Sequence, residues 1–126
     1  MRVLLIDDEP DLRELLAITL ELDGSFDVVG NASTLAEGVE LARATQPDVI
    51  VTDLVLGSTV PPEELLGELR AAAPQASVVV FSGRDVGVTP PVGADAAVLK
   101  GGDLAGLIEK VKEVAAEADR RGDAPD

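Results

Sequence analysis

Arg2-Val3-Leu4-Leu5-Ile6-Asp7-Asp8-Glu9 is a strand-length apolar run that stops abruptly on three acids. The run lacks the apolar–polar alternation of a strand with one wet face. That absence points to a strand covered on both sides, as in a parallel sheet. Val49-Ile50-Val51-Thr52-Asp53 repeats the arrangement and ends on a single acid. Phe26–Gly30, Ser77–Phe81 and Ala96–Leu99 bring such runs to five.

Helical patterns separate them. Leu12, Leu15, Leu16 and Leu20 form an apolar stripe behind Pro10, a residue suited to a first helical turn. Thr34-Leu35-Ala36-Glu37 has the spacing of a capping box, and Val39 and Ala42 continue that helix. A third helix is predicted from Pro62 to Ala73, with Leu65, Leu66 and Leu69 inward and Pro74 as the stop. A last one uses Leu104, Leu107, Ile108, Val111 and Val114 behind a cap at Asp103. Between the fourth and fifth strands, Arg84–Asp95 contains Gly87, Pro90, Pro91 and Gly93, so the fourth crossover helix is predicted to be short or missing. The alternation implies an α/β fold, with a parallel sheet, right-handed crossovers and helices on both faces.

Composition narrows the chemistry. The 126 residues suit one domain, with 46% hydrophobic residues but only 2% aromatic, so aliphatic side chains and alanine must build the core. Cysteine and histidine are both absent, which removes thiolate and imidazole metal sites, cysteine nucleophiles and a phosphohistidine within this chain. The net charge of −14 opposes direct binding to nucleic acid or anionic lipid and favours hard cations. No run of about 18 apolar residues is present, so no membrane span is predicted. The N-terminus lacks a secretory pattern, and a cytoplasmic location is expected. Residues 1–118 are read as one domain, followed by an acidic tail, 119–126, predicted to be disordered.

In open α/β sheets, ligands bind beyond the carboxyl ends of the strands. Here those ends carry Asp7-Asp8-Glu9, Asp53, Ser82-Gly83 and Lys100-Gly101, and Lys100 is the only lysine before the last helix. Carboxylates gathered there repel each other by roughly 4 kcal/mol per pair at about 4 Å and an effective dielectric of about 20. A bound cation relieves this, and an all-oxygen donor set favours Mg²⁺ over Zn²⁺. A carboxylate beside Mg²⁺ can act as a nucleophile toward phosphorus, a transfer that needs positioning and charge neutralisation above all. Lys100 and Ser82 are suited to bind phosphoryl oxygens, and Gly83 leaves room for close approach.

Asp7, Asp8, Asp53, Ser82 and Lys100, in this order and strand context, resemble the site residues of bacterial two-component response regulator receiver domains, the CheY-like superfamily. The likeness covers about residues 1–118. It implies a flavodoxin-like, doubly wound sheet in the order 2-1-3-4-5, and a sensor histidine kinase as the donor of a phosphoryl group to Asp53. It also implies that Asp8, Asp53 and the backbone carbonyl of Val55 hold Mg²⁺ directly, with Asp7 acting mainly through water. Self-phosphorylation and slow self-dephosphorylation would be its only catalysis. Phe26-Asp27-Val28-Val29-Gly30 and Val98-Leu99-Lys100-Gly101 further resemble receivers of the NarL/FixJ type. Those usually carry a C-terminal DNA-binding output domain and regulate transcription. The chain is then a stand-alone regulator or a receiver from a longer protein, with such a domain or a second copy as a further partner.

Some positions depart from the family pattern. Ala97 stands where receivers usually carry a switching aromatic, three residues before the lysine, and Leu54-Val55-Leu56-Gly57 lacks the usual proline. Gly101 replaces a proline that is often cis, so a trans peptide is expected there. An output switch without an aromatic would fall to the Ser82–Pro91 loop or to self-association, with Val55 and Arg84 flanking the path of a hydrolytic water. The departures also motivate an alternative, a pseudo-receiver that binds partners without phosphorylation. A metal-dependent phosphatase is disfavoured, because Val55 stands where such enzymes place a second acid.

Overall fold

A computed structural model gives the fold. It describes residues 1–54, 56, 60–83, 93–101 and 104–122, and of residues 119–122 it describes the backbone. Five strands, β1 (Arg2–Ile6), β2 (Asp27–Ala32), β3 (Val49–Thr52), β4 (Ser77–Ser82) and β5 (Ala96–Leu99), form one sheet. Every neighbouring pair is parallel, and the order is β2-β1-β3-β4-β5. Among the described residues four helices connect or follow them: α1 (Pro10–Asp23), α2 (Leu35–Thr45), α3 (Pro62–Ala72) and α4 (Leu104–Gly122). This is the flavodoxin-like arrangement that the resemblance implies. The segment predicted to lack a full helix falls largely on residues 84–92, which lie outside the described residues, as does the cap assigned to Asp103.

Strand pleating divides the core in two. Val3 and Leu5 of β1 face α1 and α4, where they meet Leu16, Leu20, Leu107 and Val111. Leu4 and Ile6 point the other way and pack with Ala42 of α2 and Leu65, Leu66 and Leu69 of α3. Two-sided burial explains the unbroken apolar runs, and it holds throughout β3 and β4. The outer strands differ from that expectation: β2 and β5 keep partly exposed positions because each has a neighbour on one edge only.

The first helical stripe also needs correction. Leu16 and Leu20 are buried, but Leu15 is 50% exposed. Residues four apart stay on one helix face, while a step of one residue turns away by about 100°, so Leu15 joins Ile18 and Leu22 on the solvent side. β2 starts one residue later than predicted and runs to Ala32, leaving Phe26 buried against the α1/α4 core. The Thr34 half of the capping box is present, with Thr34 Oγ1 accepting the Glu37 amide at 3.1 Å, while the Glu37 carboxylate accepts the hydroxyl of the preceding Ser33 at 2.7 Å. α3 ends at Ala72, just before Pro74. α4 continues through Gly122, beyond the Ala118 boundary read from the sequence.

Strand register sets the level of the site. Ile6 pairs with Thr52, Thr52 with Val80 and Ser82 with Leu99. Asp7, Asp53 and Lys100 each follow one of these paired residues, so one end of the sheet presents all three.

Candidate functional site at the carboxyl ends of the strands

Backbone hydrogen bonds continue one residue beyond the strands and fix the functional side chains. The Asp7 amide donates to Ala32 O at 3.0 Å, the Asp53 amide to Ile6 O at 3.1 Å and the Lys100 amide to Ser82 O at 2.7 Å. Arg13 Nη1 of α1 donates to the Asp7 carbonyl at 2.6 Å and ties the β1–α1 turn to its helix. The Thr52 hydroxyl donates to the Asp53 carbonyl at 2.8 Å, and the Leu54 amide to Asp53 Oδ1 at 2.7 Å. Gly101 has φ +96°, a conformation glycine adopts without strain, and it turns the chain away immediately after the lysine.

Lys100 is the hub. Its ammonium lies 2.8 Å from Asp53 Oδ2, 2.9 Å from Asp7 Oδ2 and 3.1 Å from Glu9 Oε1. It also sits 5.9 Å from the centre of the Phe81 ring. Burial disfavours the charge on Lys100, but hydrogen bonds to Asp53, Asp7 and Glu9 outweigh burial and hold its pKa above the usual lysine range. Burial pushes the Asp7 carboxyl up, against the opposing effects of the Glu9 amide and Lys100 and with help from the negative charge of Asp53.

Asp7, Asp8, Glu9 and Asp53 each offer one carboxylate oxygen, all within 4.8 Å of one another. Four acids thus face one lysine. The set is purely oxygen and over-charged for a single ammonium, which fits a hard divalent cation such as Mg²⁺ and not a thiophilic metal. Both oxygens of Asp7 accept hydrogen bonds, one from the Glu9 amide at 2.9 Å and one from Lys100, whereas Asp8 is exposed.

The structure therefore brings together Asp7, Asp8, Asp53 and Lys100. Ser82 ends β4 at the same level and is buried. Val55 and Arg84 lie outside the described residues. Glu9 also takes part, with a role that the sequence alone does not assign. Its signal was its place directly after Asp8 and before the start of α1, within reach of the same pocket. Ala97 is half-buried and packs onto the α2/α3 core. Among the described residues, no helix is long and apolar enough to cross a membrane.

Comparison with known proteins agrees with this geometry. Residues 3–112 match the family model described as the response regulator receiver domain. A nitrate/nitrite response regulator homolog from Haemophilus influenzae is 34% identical over 119 residues, covering 91% of this chain and 57% of the relative. The chain thus spans little more than half the length of that curated relative. The signal receiver domain of the response regulator NarL from Mycobacterium tuberculosis superposes with a TM-score of 0.77 at 28% identity, covering 91% of this chain and 95% of that one. The response regulator TrrA from Thermotoga maritima, solved in complex with Mg²⁺ and BeF, has a TM-score of 0.76 at 25% identity, covering 90% of this chain and 97% of that one. With the family model spanning all five strands and the acid-and-lysine pocket at their carboxyl ends, the chain belongs to the receiver domains of two-component response regulators.

Proposed function

We propose that this receiver accepts a phosphoryl group on Asp53 from the phosphohistidine of a sensor histidine kinase. The observation that carries the proposal is the Asp53 Oδ2 to Lys100 Nζ contact of 2.8 Å, set among the acids Asp7, Asp8 and Glu9. An Asp53 oxygen forms a bond to phosphorus while the donor's P–N bond breaks, and the bonding pair returns to the imidazole. Lys100 neutralises charge on the transferred group, and the Ser82 hydroxyl binds another of its oxygens. Asp8, Asp53 and the Val55 carbonyl, with Asp7 mainly through water, would hold Mg²⁺, which would supply further charge neutralisation. The Mg²⁺–BeF complex of the Thermotoga maritima relative supports this reading.

The receiver unit is taken as residues 1–118, followed by an acidic tail, 119–126. In a longer polypeptide, a DNA-binding domain is the output partner that the NarL/FixJ-type resemblance implies. A second copy of the chain is the other partner of this reading. A cytoplasmic location goes with both. The net charge of −14 disfavours direct contact of this unit with nucleic acid.

Incubation with Mg²⁺ and acetyl phosphate should add one phosphoryl group per chain, and Asp53→Asn should abolish the addition. Ala97 favours one second reading, a pseudo-receiver, because a small side chain packed into the core offers no aromatic group to rotate. Lack of labelling together with retained kinase binding would support that reading.

A further inference from the structure

A lysine ammonium has three N–H donors, and all three are taken. Asp53, Asp7 and Glu9 accept them at 2.8, 2.9 and 3.1 Å. An incoming anionic oxygen can bind Lys100 only when one carboxylate yields. The three are not equivalent. Asp7 is buried, and its second oxygen is fixed by the Glu9 amide at 2.9 Å. Asp53 is also buried, and the Leu54 amide holds its second oxygen at 2.7 Å. The Glu9 side chain is 60% exposed and makes the longest of the three contacts. Glu9 occupies the N-cap position of α1, yet its side chain makes no capping hydrogen bond, so its carboxylate is given to Lys100 and not to the helix. Releasing it returns a carboxylate to water, whereas releasing Asp7 leaves a buried charge unpaired.

We infer that Glu9 is a displaceable competitor for Lys100: it occupies the hydrogen-bonding position on the ammonium that a phosphoryl oxygen takes, and so sets how readily the site accepts an anionic group. This rests on the phosphoryl-acceptor reading above. Glu9 is then an affinity-determining residue for the donor. Its neutral amide counterpart should yield the lysine more easily.

The test compares the full chain with Glu9→Gln and with Asp11→Asn, which removes the nearby acid in the first turn of α1. Labelling of Asp53 is followed against acetyl phosphate concentration, with Mg²⁺ raised in each protein until the response no longer changes. Glu9→Gln should lower the half-saturating acetyl phosphate at least threefold, while Asp11→Asn shifts it far less. An unchanged or raised half-saturation in Glu9→Gln overturns the inference, and so does an equal shift in Asp11→Asn, which would mark a general charge effect. If the parent chain does not label at all, the phosphoryl-acceptor reading fails first and this inference falls with it. If the parent labels normally, only the role of Glu9 is at stake.

Discussion

Lys100 Nζ and Asp53 Oδ2, 47 residues apart in the chain, meet at 2.8 Å because β3 and β5 flank β4 at matched register. The same lysine holds Asp7 and Glu9, so one cation keeps several like charges at the end of the sheet.

Removing that cation should therefore destabilise the metal-free chain. Lys100→Met removes the positive charge that Asp7 and Asp53 share in a largely buried site. Breaking one partner of a fully buried pair costs about 3–5 kcal/mol, and partial access of water here reduces this to about 2 kcal/mol. Mg²⁺ should recover most of the loss, because it offsets the same repulsion. Urea unfolding with and without Mg²⁺ checks this. A variant as stable as its parent without Mg²⁺ would show that the acids do not depend on the lysine.

Asp7 gives a pH-dependent expectation of opposite sign. Burial, first among its influences, raises its pKa above the ordinary carboxyl value of 3.8. A carboxyl that binds its proton more tightly when folded lowers stability wherever both states are ionised, including neutral pH. That cost shrinks as pH falls through the raised folded value and is gone below 3.8. Without Mg²⁺, Asp7→Asn should melt above the parent at pH 7, and the gap should close on acidification. Calorimetry across this range reads it directly. A variant that melts lower at pH 7 would mean that the Lys100 contact outweighs burial.

Two glycines test the packing that holds β1 in place. A Cβ on Gly38 of α2 would lie 2.6 Å from Ile6 Cδ1 and 3.1 Å from Ile6 Cγ1, whereas one on Gly67 of α3 would meet nothing within 4 Å. Gly67→Ala should stabilise by about 0.5–1 kcal/mol through helix propensity alone. Gly38→Ala gains the same term but overpacks a fully buried contact, which costs about 1–3 kcal/mol, so the net change should be destabilising. Equal stabilisation of both variants in chemical denaturation would refute the close α2–β1 contact.

Much of this was legible in the sequence for a physical reason. Strands covered on both faces leave unbroken apolar runs, so β1, β3 and β4, and the residues that end them, stood out. Strand order was not legible in the same way, because an apolar run does not encode its neighbours; it came from the family resemblance. Leu15 was misplaced because α1 carries an outward apolar row, Leu15, Ile18 and Leu22, beside the inward one. Glu9 was passed over because its contact with Lys100 spans 91 residues and depends on side-chain reach, which no local pattern records.

Mapping the adduct formed with acetyl phosphate and Mg²⁺ decides whether Asp53 is the phosphoryl acceptor. A single acid-stable, base-labile acyl phosphate is expected on Asp53, lost on omission of Mg²⁺ and in Asp53→Asn. A phosphoryl group mapped to any other residue, or no adduct at saturating Mg²⁺ and donor, would contradict it.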